Sequence, residues 1–266
     1  MKYFDKKNNR LVYISKSATP EFWDECWEDI DLKRTIQGVT DRSFVHKKTG
    51  QYLKTGMKIL EGGCGRGQYV YALQKWGYEA YGVDFAPETV KKITALFPEM
   101  KIKEGDVRAL PYEDNFFDGY WSFGVIEHFY EGFEKIASEM KRVVRPGGYV
   151  FVTFPAFSKL RQMKARRGQY PLFDEAHFEK EKFYQFALDP KFVVQQFESL
   201  GFISREVYAL DGIKGLKDEV KFLRPLLQFI YNSKLLPMKV LRELINRLFR
   251  KFSGHSTLCI FEVKKW

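Results

Sequence analysis

The run Lys58-Ile59-Leu60-Glu61 reads as a short apolar strand that enters Gly62-Gly63-Cys64-Gly65-Arg66-Gly67, after which a helical pattern begins at Gln68. Gly63, Gly65 and Gly67 carry no Cβ, so the turn can tighten and bring backbone amides against a ligand at a helix N-terminus. The dinucleotide pattern G-x-G-x-x-G fails, because counting from Gly63 its sixth position is Gln68. An acid, Asp84, stands 17 residues after Gly67 at the end of the next strand-like run, where a carboxylate reaches both hydroxyls of a ribose. Cys26, Cys64 and Cys259 and the histidines 46, 128, 177 and 255 lack the paired spacing of a zinc site. No bound metal is expected, and the odd cysteine count suits a reducing cytoplasm.

The order of these groups resembles the class I S-adenosylmethionine-dependent methyltransferases, in the small-molecule branch similar to methyltransferase family 11. The resemblance rests on Glu61 before G-x-G-x-G, on Gly82-Val83-Asp84, on Glu104-Gly105-Asp106-Val107, on Leu110-Pro111-Tyr112 with Phe116-Phe117-Asp118, and on Val144-Arg145-Pro146-Gly147-Gly148. It spans about 100 residues, Lys58 to Phe154, and leaves the flanks loosely covered. It implies S-adenosylmethionine as cofactor, held by Glu61, Gly63, Cys64, Gly65, Gly67, Asp84, Phe85, Asp106, Val107 and Phe123. Asp84 would take the ribose, Asp106 and the Val107 amide the adenine edge. Glu61 replaces the family's more usual Asp, and either carboxylate can receive the cofactor's amino group through water.

After the fourth strand the chain reads Trp121-Ser122-Phe123-Gly124. Enzymes that methylate adenine or glutamine amines resemble Asn or Asp followed by Pro-Pro-aromatic there, and C5-pyrimidine enzymes a Pro-Cys nucleophile; neither stands here. Glu127-His128 resembles the Glu-His pair of small-molecule methyltransferases, including ubiquinone-pathway O-methyltransferases, but Gly124 occupies the place of the Glu that assists a metal in those. His128 is either a general base for a hydroxyl or a histidine that satisfies a helix start beside the cofactor. His177 is a weaker base candidate.

These groups need a frame that sets them side by side. Strand-like runs at Lys58–Leu60, Glu79–Val83, Lys101–Lys103, Gly119–Phe123 and Tyr149–Phe154 alternate with helical patterns at Gln68–Lys75, Pro87–Leu96, Phe133–Val143 and Pro190–Leu200, which signals βα units on a parallel sheet. Ile203–Leu210 and Thr257–Val263 are expected to close it as an antiparallel hairpin. The fold class is therefore α/β, a Rossmann-like seven-stranded, mostly parallel sheet with an antiparallel last hairpin and helical insertions. Four regions are expected: a helical cap over 1–56, in which Trp23 and Trp27 cover one side of the core; a cofactor-binding core over 57–210 with a lid near 155–185; a basic amphipathic insertion over 211–255; and a closing strand over 256–266.

Composition is that of a globular chain with a real core, 45% apolar and 29% charged in 266 residues, with rings at 17% that make an aromatic-lined pocket plausible. Of the formal +10, residues 158–170 carry +5, with no acid among Lys159, Arg161, Lys164, Arg166 and Arg167. Residues 212–252 carry +7, ten Lys and Arg against Asp218, Glu219 and Glu243, and the remainder is near neutral. The rings Phe157, Tyr170, Phe173, Phe178, Phe183, Tyr184 and Phe186 either line the substrate side or simply pack the lid. Leu241, Leu244, Ile245, Leu248, Phe249 and Phe252 recur at helical spacing opposite Arg242, Arg247, Arg250 and Lys251, so this helix either docks on the core or meets an anionic membrane or nucleic acid. No apolar run is long enough for a signal peptide or a spanning helix. The reading is a cytoplasmic enzyme, peripheral at a membrane at most, that methylates an O or N of a small or lipid-like acceptor. Its rivals are a tRNA or rRNA methyltransferase and a non-catalytic cofactor-fold module that binds a membrane or a partner.

Overall fold

A computed structural model describes residues 1–28 and 31–264. In chain order the elements are β1 (Lys2–Asp5), β2 (Arg10–Ile14), α1 (Pro20–Trp27), α2 (Leu32–Gln37), α3 (Phe44–Tyr52), β3 (Lys58–Gly62), α4 (Gln68–Lys75), β4 (Glu79–Asp84), α5 (Pro87–Leu96), β5 (Lys101–Glu104) and β6 (Phe117–Phe123). There follow α6 (Glu134–Val143), β7 (Val144–Pro155), α7 (Lys159–Arg166), β8 (Phe183–Ala187), α8 (Pro190–Ser199), β9 (Phe202–Leu210), α9 (Gly212–Glu219), α10 (Arg224–Asn232), α11 (Leu236–Ser253) and β10 (Ser256–Val263).

The main sheet has seven strands in the order β5-β4-β3-β6-β7-β10-β9. The first five are parallel, and β10 runs antiparallel between β7 and β9. Side chains alternate across it as strand geometry demands. Leu60, Tyr120, Val152 and Phe261 face one buried layer, covered by α6 and α8 through Met140 and Phe197. Ile59, Trp121, Phe151 and Ile260 face the other, covered by α2 to α5 through Ile36, Val45, Leu73 and Ile93. Pro87 and Pro190 open α5 and α8, where a missing amide costs nothing. The strand order reverses at β3, between β4 and β6, which is where an open parallel sheet leaves a crevice at its carboxyl edge.

The expected sheet, its closing hairpin and the four core helices all stand, to within a few residues at their ends; the last two residues of the strand expected over 256–266 lie outside the described residues. Two expectations change. The segment 1–56 is not helical throughout: it opens with the β1-β2 hairpin, whose second strand pairs with β8 of the lid in a separate three-stranded sheet. Strands of four or five residues with Lys, Arg and Asp among their apolar positions carry too short an alternation to register. The apolar stripe expected on α11 does not face the core as one surface. Leu241 and Ile245 pack inward, whereas Leu244 and Leu248 are exposed. No helix among the described residues is long and apolar enough to cross a membrane.

Candidate active site

Gly63, Gly65 and Gly67 all adopt the left-handed backbone, at φ of 72°, 50° and 71°, which a side chain would strain. The turn is fastened to β4. The amides of Gly63 and Cys64 donate to the Val83 carbonyl at 2.8 and 3.0 Å. The Asp84 carboxylate accepts from the Gly65 amide at 2.7 Å and the Ala86 amide at 3.0 Å, one on each oxygen. Burial raises the Asp84 carboxyl, and these amides oppose the rise.

A cavity of about 480 Å³ lies over this turn. Of the residues expected to hold a cofactor, Glu61, Gly63, Cys64, Gly65, Asp84, Phe85, Asp106, Val107 and Phe123 border it. Gly67 does not: it starts α4, and its α-carbon faces Ile102 and Met100 behind the turn. Glu61 is fully buried, its Oε2 has no hydrogen-bond partner among the described residues, and burial with the neighbouring Asp84 charge pushes its carboxyl well up. A buried acceptor left unsatisfied costs about 1 to 3 kcal/mol, so the wall fits a ligand that brings a donor or positive group to this point. At the other end Asp106 is closed into a bidentate pair with Arg108, through Nε at 3.0 Å and Nη2 at 2.5 Å, which holds its carboxyl below the usual range. Arg108 also lies over the Phe129 ring at 5.2 Å.

His128 borders the same cavity. Its Nδ1 lies 2.7 Å from the Tyr184 carbonyl, an acceptor, so Nδ1 carries the proton and Nε2 keeps its lone pair. Burial lowers its pKa to about 4, against the opposing effect of that bond. The adjacent Glu127 does not border the cavity and, wholly buried, is pushed up to about 8, hence neutral. His177 is exposed, bound to Asp174 at 2.7 Å, and apart from the cavity.

Helix α1 supplies the outer wall. Trp23 and Trp27, one helical turn apart, stack at 5.2 Å, and Trp23 meets the His128 ring edge-on at 5.3 Å. The helix buries none of its residues in the core, so the two tryptophans cover the cavity rather than the side of the core. Asp24 holds it in place, accepting from the Thr89 amide at 2.8 Å and the Thr89 hydroxyl at 2.6 Å at the start of α5. The expected ring-rich segment packs the lid: Phe183 and Phe186 join the core with Val12, and only Tyr184 reaches the site, through its backbone and its ring against His128. Arg108, Phe129 and the Tyr184 carbonyl carry no sequence signal, since nothing in their spacing distinguishes them; the pair Trp23 and Trp27 is visible in the sequence, and the structure sets it over the cavity.

Residues 60–152 match the methyltransferase domain family. A probable S-adenosylmethionine-dependent methyltransferase of Mycolicibacterium smegmatis is 32% identical over 129 residues, 46% of this chain and half the length of that protein. A demethylmenaquinone methyltransferase of Staphylococcus aureus is 30% identical over 189 residues, 64% of this chain and 77% of that one. Among solved structures, phosphoethanolamine N-methyltransferase 2 of Haemonchus contortus, in complex with S-adenosyl-L-methionine, superposes with a TM-score of 0.56 at 16% identity, over 92% of this chain and 60% of that one, a likeness of fold.

Proposed function

We propose, from the premise that this chain belongs to the class I S-adenosylmethionine-dependent methyltransferases, that its cavity binds S-adenosylmethionine and serves methyl transfer to an oxygen or nitrogen of a small or amphiphilic acceptor. The observation that carries the reading is the row Glu61, Asp84 and Asp106 at the carboxyl ends of the neighbouring strands β3, β4 and β5, with the Glu61 Oε2 buried and unpartnered.

The cofactor, when bound, supplies a methyl group on a sulfonium, already a good leaving group, so the protein must chiefly align and exclude water. Asp84, which the Gly65 and Ala86 amides hold in place, would accept from the ribose hydroxyls. Glu61 would face the amino group, and Asp106 the adenine edge while sharing its charge with Arg108. His128, neutral with Nε2 open, would accept the proton of an acceptor hydroxyl held against Trp23 and Phe129. The ring-lined outer wall suits an acceptor with apolar surface, and the relative named for demethylmenaquinone, a lipid-like acceptor, points the same way.

Calorimetry tests the cofactor assignment without knowledge of the acceptor. S-adenosylmethionine and its demethylated product should both bind, and Asp84→Asn should cost about 1 to 3 kcal/mol of affinity. A folded wild-type protein that binds neither would overturn it.

A further inference from the structure

We propose that the helical segment 212–252 seats the protein on an anionic phospholipid bilayer. Its inner side is spoken for: Leu227, Ile230, Leu241 and Ile245 pack with Leu160, Ile213 and Leu216 in a cluster of their own. Its outer side is apolar as well. On α11 the four-residue row Leu236, Val240, Leu244 and Leu248 is 75, 63, 53 and 66% exposed, and Phe252 continues it. Residues four apart on a helix form one ridge, so this is a continuous aliphatic rib rather than scattered surface residues. Beside it α10 turns Leu226 and Phe229 outward, and Phe222, just before α10, is 81% exposed. An apolar surface of this extent marks a contact site.

Charge names the occupant. The cations that point inward are used: Lys217 bonds Gln228, Arg242 the Tyr231 carbonyl, and Arg250 the Tyr208 hydroxyl. Lys221, Arg224, Lys234, Lys239, Arg247 and Lys251 are exposed and form no ion pair among the described residues. Of the three acids in the segment, Glu219 is buried against Arg161 and Asp218 is paired with His255, which leaves Glu243 alone on the outside. The outward face is thus an aliphatic rib set among six cations and one acid. A second copy of the chain would bring like charge against like charge, and a nucleic acid would use the cations but gain nothing from the leucines. An anionic bilayer uses both.

The insertion is rooted where this matters. Leu210, the last residue of β9, pairs with Ser256, which pairs with Pro155 at the end of β7, so segment 212–252 leaves and re-enters the sheet at the carboxyl edge that also bears the cavity.

Sedimentation of the full chain with vesicles decides the matter. Binding to phosphatidylcholine–phosphatidylglycerol vesicles at low salt, absent with pure phosphatidylcholine and about tenfold weaker at high salt, is expected. Leu244→Asp with Leu248→Asp should lower it about tenfold. Because both leucines are exposed, thermal unfolding of this variant should match wild type; should it not fold, Lys239→Gln with Arg247→Gln and Lys251→Gln gives the same reading through charge. Failure of the wild type to bind anionic vesicles would overturn the proposal. So would undiminished binding by the folded leucine variant, a leucine-dependent dimer in analytical ultracentrifugation in place of vesicle binding, or RNA binding in place of it.

Discussion

A backbone carbonyl decides which nitrogen of His128 can work. With Nδ1–H donated to Tyr184, the open Nε2 is a proton acceptor, and the same burial that leaves the ring neutral lowers its basicity to a pKa of about 4. Such a ring is matched to a hydroxyl that becomes acidic only as it attacks, since its Nε2 holds no proton at neutral pH. The Cε1–H resonance of His128 should therefore stay constant in NMR spectra from neutral pH down to about 5 and move only near 4, whereas an exposed histidine titrates near 6.5. A midpoint near 6.5 would show a solvated ring and remove the desolvated acceptor. Residue types and short spacings announced Gly63, Gly65, Asp84 and Asp106, because the backbone geometry they need is local. They said nothing of Arg108 closing on Asp106 or of the carbonyl that sets the His128 tautomer, because residue 184 reaches residue 128 only through the packing of β8.

At the scale of elements, the sheet was legible since each βα unit repeats one pattern, and its closing hairpin since both strands alternate or run apolar. Helix α1 was legible as a helical cap but not as a cover of the cavity, because its tryptophans look the same in sequence whether they meet a core or a cavity. What fixes its place is Asp24. Helix α5 begins at Pro87 after Ala86, a residue with no capping side chain, and Asp24 supplies the missing acceptor from another element. Asp24→Ala should cost about 1 kcal/mol of global stability and free α1 from α5. With the Trp23 and Trp27 wall loosened, the demethylated cofactor product should dissociate about tenfold faster, as read by stopped-flow tryptophan fluorescence. An unchanged dissociation rate in a variant destabilised as expected would mean that α1 does not retain the ligand.

Across the whole molecule, the two basic segments that look independent in sequence share one buried anion. Glu219 of α9 receives Arg161 Nε at 3.0 Å, Lys164 Nζ at 2.9 Å, Lys2 Nζ at 2.7 Å and the Tyr170 hydroxyl at 2.6 Å, so β1, α7, the lid and the insertion meet on a single carboxylate. Arg161 is only 1% exposed, and its charge survives there because Glu219 faces it. Burial alone would raise the Glu219 carboxyl, but the charges of Lys2 and Arg161 and the bonds from Lys2 and Tyr170 outweigh it and hold it at about 2, below its ordinary 4.5. A depressed carboxyl stabilises the folded state above the unfolded pKa, and that stabilisation is lost as pH falls through the folded one. The window is therefore pH 4.5 down to about 2, and the amount about 3 kcal/mol. Glu219→Gln keeps the shape but strands the Arg161 charge, which should cost about 3 to 5 kcal/mol at neutral pH. In urea unfolding followed by circular dichroism, the gap between wild type and variant should be constant above pH 5 and close as pH falls towards 2, since protonation makes wild type resemble the variant. A gap that stayed open at acid pH would show that the glutamine acts through packing rather than charge, and that the insertion is not tied to the core by this ion cluster.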